Sequence, residues 1–269
     1  MENELEKKPD ITVTEDPWTD LRQFTDARIA LGRCGVAPPL KANLDFKLAH
    51  AQARDAIYCE FAKEDLEREL SAQHPALILK SEAETRHEYL TRPDKGRKLN
   101  EESLNALKLV EAPTGGYDLC IVVGDGLSPR AIHESAVDFI RSFFEASGGT
   151  TLKIAPICVV ENARVAIADE VGKTLGAKLS VILIGERPGL SSPNSMGIYL
   201  TYEPQPGKTD ESRNCISNVR PGGLSIQAGV QKLSYLIENA ISLKLSGVNL
   251  KDTMPTNYLP FFNTPTLGG

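Results

Sequence analysis

The sequence predicts an α/β protein in which helices wrap a parallel sheet, with a smaller helical segment ahead of it. Two observations carry the prediction. Short, continuous, β-branched apolar runs recur at 118–123 (DLCIVV), 152–160 (LKIAPICVV) and 177–185 (AKLSVILIG), as expected of strands covered on both faces. Helical periodicity fills the intervals between them, and strand alternating with helix is the pattern of a parallel sheet.

Taken in order, residues 1–25 are a loose lead-in, rich in charge and poor in apolar periodicity. Residues 26–85 read as a helical N-terminal domain. Leu44, Leu48, Ala51 and 55–57 recur at three- and four-residue spacing after Pro38 and Pro39, and a second short helix, KEDLERELSA, follows Phe61. Residues 86–251 form the sheet domain. After its first strand comes a helix with Ile132, Ala136, Phe139, Ile140 and Phe143 on one stripe. A helix over about 164–175 joins the second and third strands, and 197–202 is a fourth strand candidate. The last helix sets Ile226, Val230, Leu233, Ile237 and Ile241 in register, with Gly247 placed to stop it. Residues 252–269, with three prolines and two adjacent phenylalanines, are a tail suited to docking on a partner.

Composition narrows the functional classes. The 269 residues are 41% hydrophobic and 25% charged, with a net charge of −6 and a pI near 5.4. A mildly acidic chain has no electrostatic reason to seek nucleic acid or an anionic membrane. No apolar run approaches the roughly 20 residues that span a bilayer, and the acidic N-terminus lacks the apolar stretch of a signal peptide. The expectation is a cytoplasmic protein. Five widely spaced cysteines (Cys34, Cys59, Cys120, Cys158, Cys215) contain no C-x-x-C pair and agree with it.

Right-handed crossovers bring the strand-to-helix loops together at the C-terminal edge of a parallel sheet, where ligands bind. Those loops are VGDGLS (123–128), VENAR (160–164) and GERPGL (185–190). The Gly124-Asp125-Gly126 turn resembles a phosphate loop, but Pro129 occupies the third glycine position. The competing reading is a tight turn with Ser128 capping the next helix. Ser128 lies in no G-x-S-x-G elbow, and the four histidines (His50, His74, His87, His133) have no metal-ligand spacing. No carboxylate pair announces acid–base chemistry. Glu186 and Arg187 end a strand at the ligand edge, as a functional pair or as a surface ion pair of little energy. The segment 213–218 reads as a polar loop leading to the N-terminus of the last helix, an anion-friendly place.

Four strings in one order, YLTRPDKGRKL (89–99), GDGLS (124–128), GERPGL (185–190) and NCISNVRPGG (214–223), resemble the ethanolamine ammonia-lyase light-chain family. The resemblance runs from about Ala27 to about residue 251, and GRCG (32–35) fits the family's smaller N-terminal domain. It implies a Rossmann-like, cobalamin-facing domain over 86–251 with a helical N-terminal domain before it. It also implies a barrel-shaped heavy chain as partner, several heavy–light pairs per assembly, and adenosylcobalamin held between the two chains. The implied reaction is radical deamination of ethanolamine to acetaldehyde and ammonia, with the substrate pocket on the heavy chain. No catalytic residue and no metal ligand then fall on this chain.

By resemblance, the cofactor-binding residues are Val165, Glu186 and Cys215, all expected on loops at the ligand edge, with Asn162, Arg164 and Arg187 ranked next. Glu186 would accept hydrogen bonds from corrin amides, Val165 would pack on the macrocycle, and Cys215 would give a small close contact. None of the histidines lies in D-x-H-x-x-G, so the cofactor is expected base-on, with its own dimethylbenzimidazole on cobalt. The resemblance keeps the cytoplasmic expectation and adds a bacterial microcompartment as the alternative address, against which the short N-terminal lead-in counts. The competing functions are a stand-alone α/β nucleotide-binding enzyme and a non-catalytic assembly subunit.

Overall fold

The computed structural model describes residues 13–261, so the tail beyond 261 and the first half of the lead-in lie outside the described residues. The chain divides into two compact units: residues 1–54 with 189–192, and residues 55–188 with 193–269.

The first unit is held by backbone pairing more than by a core. Thr14 and Arg33 exchange backbone hydrogen bonds of 2.8 and 2.9 Å, and Cys34 closes a turn with Ala37. A 3-10 helix spans Thr19–Phe24. Helix α1 (Leu40–Tyr58) begins after Pro39 and continues past the unit boundary at Arg54. The Leu44–Leu48–Ala51 spacing marks a helix, which the structure has, but that stripe is not the buried one. Leu40, Leu44 and Leu48 are exposed while the small Ala49, Ala53 and Ala56 are buried.

The second unit carries a six-stranded sheet in the order β1-β3-β2-β4-β5-β6. Its strands are β1 (Ala76–Lys80), β2 (Tyr117–Gly124), β3 (Ile157–Glu161), β4 (Ala177–Gly185), β5 (Met196–Tyr202) and β6 (Arg213–Val219). The helices are α2 (Lys63–Ser71), α3 (Arg86–Thr91), α4 (Glu101–Lys108), α5 (Pro129–Ser147), α6 (Ile167–Thr174) and α7 (Ile226–Leu243). Strands β3, β2 and β4 are parallel, as expected, and β1, in the stretch read as helical, pairs parallel with β3; β5 and β6 are antiparallel to their neighbours, so the sheet is mixed. A parallel return needs a crossover of a dozen or more residues, usually a helix. The ten-residue connections 186–195 and 203–212, which hold no α-helix, provide none, and the chain doubles back.

Local chemistry accounts for the remaining departures. The run 152–160 becomes a strand only from Ile157, because Pro156 cannot donate to a ladder. The last helix stops at Lys244, which adopts a left-handed conformation (φ 56°), not at Gly247. The segment read as a polar loop, 213–218, is the edge strand β6, with Arg213, Ile216 and Val219 buried.

Alternation along the strands builds two cores. One face packs Leu119, Ile121, Leu179, Val181, Ile198 and Ile216 beneath α2, α5 and α7. The other packs Cys120, Val122, Cys158, Val160, Ile182 and Ile184 beneath α4 and α6, and no buried residue of β5 or β6 belongs to it. There α6 is pinned by an ion pair between Asp169 and Arg213 of β6, both side chains almost fully buried. Breaking such a pair from one side costs about 3–5 kcal/mol, since a buried charge is left uncompensated.

Candidate functional site

The C-terminal edge of the parallel strands is organised around Asp125. Its Oδ1 accepts from Gly126 N (2.9 Å) and Ala163 N (2.8 Å), and its Oδ2 accepts from Arg86 Nη1 (2.9 Å). One carboxylate thus ties the β2–α5 turn, the β3–α6 loop and α3 together. Complete burial pushes the carboxyl up to about 6, an effect that Arg86 and the backbone donors only partly offset.

The Gly124-Asp125-Gly126 turn is a packing device and not a phosphate cradle. Gly126 N is taken by Asp125, and Leu127 N donates to Gly185 O at 2.9 Å. Gly126 has φ +58°, and a Cβ there would lie 2.2 Å from Gly185 O. Ser128 caps α5 by accepting from Ala131 N and donates its hydroxyl to Pro193 O.

Asn162 and Arg164 are spent within the same edge. Asn162 is buried with φ 58°, and its side-chain amide donates to Ala83 O. The Arg164 guanidinium stacks on the Tyr89 ring at 4.3 Å and donates to Tyr89 O, while Arg86 stacks on that ring at 4.7 Å. Tyr89 in turn donates its hydroxyl to Ala163 O, and Arg164 N donates to Gly96 O. The 89–99 string therefore shapes the loop that ends at Val165. Val165 is partly exposed and packs against the α4–α6 core layer.

Glu186 and Cys215 belong to a second cluster, on the uncovered part of that same face. Glu186 Oε2 accepts from Ser195 Oγ (2.5 Å) and Asn218 N (3.3 Å). Both of these bonds fall on Oε2, which leaves the lone pairs of Oε1 available. Cys215 is exposed and sits within the edge strand β6, and not on a loop as expected. Its direct cross-strand partner is Tyr199 of β5. Burial raises both groups; their mutual contact opposes the shift at the thiol and adds to it at the phenol. Glu186 raises both as well, which places the three side chains within electrostatic reach of one another. Arg187 is exposed and has no hydrogen bond or ion pair among the described residues.

The structure thus brings Glu186 and Cys215 together and sets Val165 on the same sheet face, with β2 between the ends of β3 and β4. Tyr199, Gly197, Ser195 and Asn218 were missed. They could not be found without knowing that 213–219 is a strand paired to β5. No group of three His, Cys, Asp or Glu side chains suited to a metal occurs among the described residues, and no helix there is long and apolar enough to cross a membrane. A cleft of about 880 Å³ lies wholly in the first unit, and Arg22, Arg28 and Lys41 on its walls are balanced in part by Asp26 and Asp45.

A family model described as ethanolamine ammonia-lyase light chain matches residues 15–251, starting earlier than the sequence strings suggest and including the 3-10 helix at Thr19–Phe24. The ethanolamine ammonia-lyase small subunit of Pseudomonas fluorescens is 50% identical over 250 residues, covering 92% of this chain and 90% of that one. That of Pseudomonas putida is 51% identical over 240 residues, 88% of each chain. That of Ralstonia nicotianae is 50% identical over 254 residues, 94% of each.

Proposed function

The chain belongs to the ethanolamine ammonia-lyase light-chain family, and from that premise we propose that it is the small subunit of an adenosylcobalamin-dependent ethanolamine ammonia-lyase. In this reading it closes one wall of the cofactor's site against a heavy chain. The observation that carries the reading is the open stretch of sheet at β5 and β6, where Glu186 keeps Oε1 available beside exposed Cys215.

The donor set fits a cobalamin. A corrin ring bears primary amides, which donate to a carboxylate such as Glu186, and an apolar rim, which suits Val165. The absence of a side chain at Gly197 keeps space beside Glu186, because a Cβ there would lie 3.0 Å from Oε1. When bound, the cofactor supplies the radical chemistry that moves the amino group of ethanolamine on its way to acetaldehyde and ammonia. This chain's residues orient and enclose. Glu186 accepts from corrin amides, Val165 packs against the macrocycle and Cys215 makes a close contact. Asn162 and Arg164 hold the loop that presents Val165, and exposed Arg187 stands next to Glu186 as a further polar contact. No residue of this chain acts as acid, base or metal ligand, and the cofactor stays base-on.

The same reading includes a Rossmann-like description of the sheet domain, a helical N-terminal domain, and several heavy–light pairs per assembly in the cytoplasm or a microcompartment. The exposed Leu40, Leu44 and Leu48 support a partner, since apolar stripes of this kind mark interaction surfaces. The turn at 124–128, with the Gly126 and Leu127 N–H groups occupied, speaks against a stand-alone nucleotide enzyme.

Co-expression with a candidate heavy chain, followed by an adenosylcobalamin-dependent assay for acetaldehyde, tests the proposal. Activity that needs both chains and the cofactor is expected. Co-purification without activity would leave an assembly role, and no association at all would overturn the reading.

A further inference from the structure

Tyr199 has no part in the family resemblance, yet it occupies the middle of the patch. It faces the same side of the sheet as Cys215, its direct cross-strand partner, and packs its ring against the layer that also receives Val165. Part of the ring stays exposed. Opposed residues on one face of an antiparallel pair stand about 5 Å apart at Cβ, so phenol and thiol share a single surface. Gly197 precedes Tyr199 by two residues and therefore lies on the same face. A Cβ there would come within 3.0 Å of Glu186 Oε1 and 3.3 Å of the Tyr199 ring. Both contacts are tighter than most side chains show, so an added Cβ would make the carboxylate and the ring give by a few tenths of an ångström.

We propose that Tyr199 is a further cofactor-contact residue of this patch, and that Gly197 is kept bare so that Glu186 and Tyr199 can face the cofactor together. The inference rests on the cobalamin reading above and extends it to two residues. Tyr199 supplies both an apolar ring edge and a hydroxyl, the combination that favours tyrosine where one end of a contact is greasy and the other polar.

The test uses the co-expressed heavy–light complex, with cyanocobalamin as an inert probe and two readouts. One is cyanocobalamin affinity by equilibrium dialysis; the other is the rate of Cys215 alkylation by N-ethylmaleimide, followed by mass spectrometry. In the unsubstituted complex cyanocobalamin should protect Cys215. Tyr199→Phe should weaken cyanocobalamin binding about fivefold, the equivalent of one hydrogen bond of about 1 kcal/mol. It should also reduce the protection of Cys215 by cyanocobalamin, which a tyrosine away from the cofactor would not do. Gly197→Ala should weaken binding measurably, though less than Glu186→Ala, with heavy-chain capture unchanged. If Tyr199→Phe and Gly197→Ala bind cyanocobalamin as tightly as the parent while Glu186→Ala weakens it, the inference is overturned and the cobalamin reading stands. If Glu186→Ala also has no effect and Cys215 is not protected, both fall together. Tyr199→Phe keeps the ring, so the outcome does not depend on a variant that fails to fold.

Discussion

On one face of the sheet, α2, α5 and α7 bury β2 to β6 beneath a continuous layer of leucine, isoleucine, valine and phenylalanine. On the other, α4 and α6 bury the strands only as far as β4 and leave Tyr199, Cys215 and Ser217 at the surface. The covered face is closed by shape. Phe139 packs so tightly against α7 that a Cβ at Gly229 would lie 3.0 Å from its ring. The partly open face is held by polar devices instead: Asp169 with Arg213, Asp125 with Arg86, and Glu186 with Ser195 and Asn218. The contrast separates stability from binding within one sheet. Apolar filling specifies the fold, whereas directional bonds hold groups in place beside a surface that stays free.

Three measurements can break or sharpen that contrast. The largest effect is expected on the covered face: Phe139→Ala should lower unfolding stability by about 3–5 kcal/mol through loss of buried contacts and the cavity left behind, read by urea denaturation. A loss under about 1 kcal/mol would mean that this face is not where the stability resides.

Next comes the sheet edge. Asp125 has a folded value near 6, above the ordinary carboxylate value in the unfolded chain. Its contribution to stability is therefore complete below about pH 4 and is lost as pH rises through about 6, a difference on the order of 3 kcal/mol. Asp125→Asn should flatten the stability profile between pH 4 and 7, whatever it does to absolute stability. An unchanged slope would assign the pH dependence elsewhere.

The smallest change in stability is expected at Glu186. Glu186→Gln keeps an acceptor for Ser195 and Asn218 and should alter stability by less than about 0.5 kcal/mol, even if it weakens ligand binding. A shift in melting temperature comparable to that of Phe139→Ala would show that the open face carries structure after all.

How far the sequence disclosed these features depended on the kind of signal. Strands β2, β4 and β5 were found within a residue, because fully buried strands are unbroken apolar runs. Strand β1 lies next to a charged helix and has Ile78 at the surface, so its five residues did not stand out. Strand β6 was hidden by its polar residues. Only one of its faces is covered, and Arg213 is buried solely because Asp169 meets it. The site divided in the same way. The edge loops, with Glu186 on one of them, followed from the direction of the strands, while Val165 and Cys215 were singled out by resemblance, with the strand of Cys215 and its neighbour Tyr199 unseen. On α1 the apolar spacing correctly marked a stripe but not what would cover it.

Asn214 has a different kind of consequence. Its side-chain amide accepts from Gly247 N (2.7 Å) and donates to Gly247 O and Leu250 O, so the start of β6 holds the 247–250 segment against it. At the opposite border, Lys80 of β1 donates its backbone N–H to Ser103 Oγ and accepts from Asn100 N. Where the chain's own segments lie against a sheet border in this way, a foreign strand has less open backbone to extend. At those two places a partner is met by side chains and local segments before it can pair with the sheet.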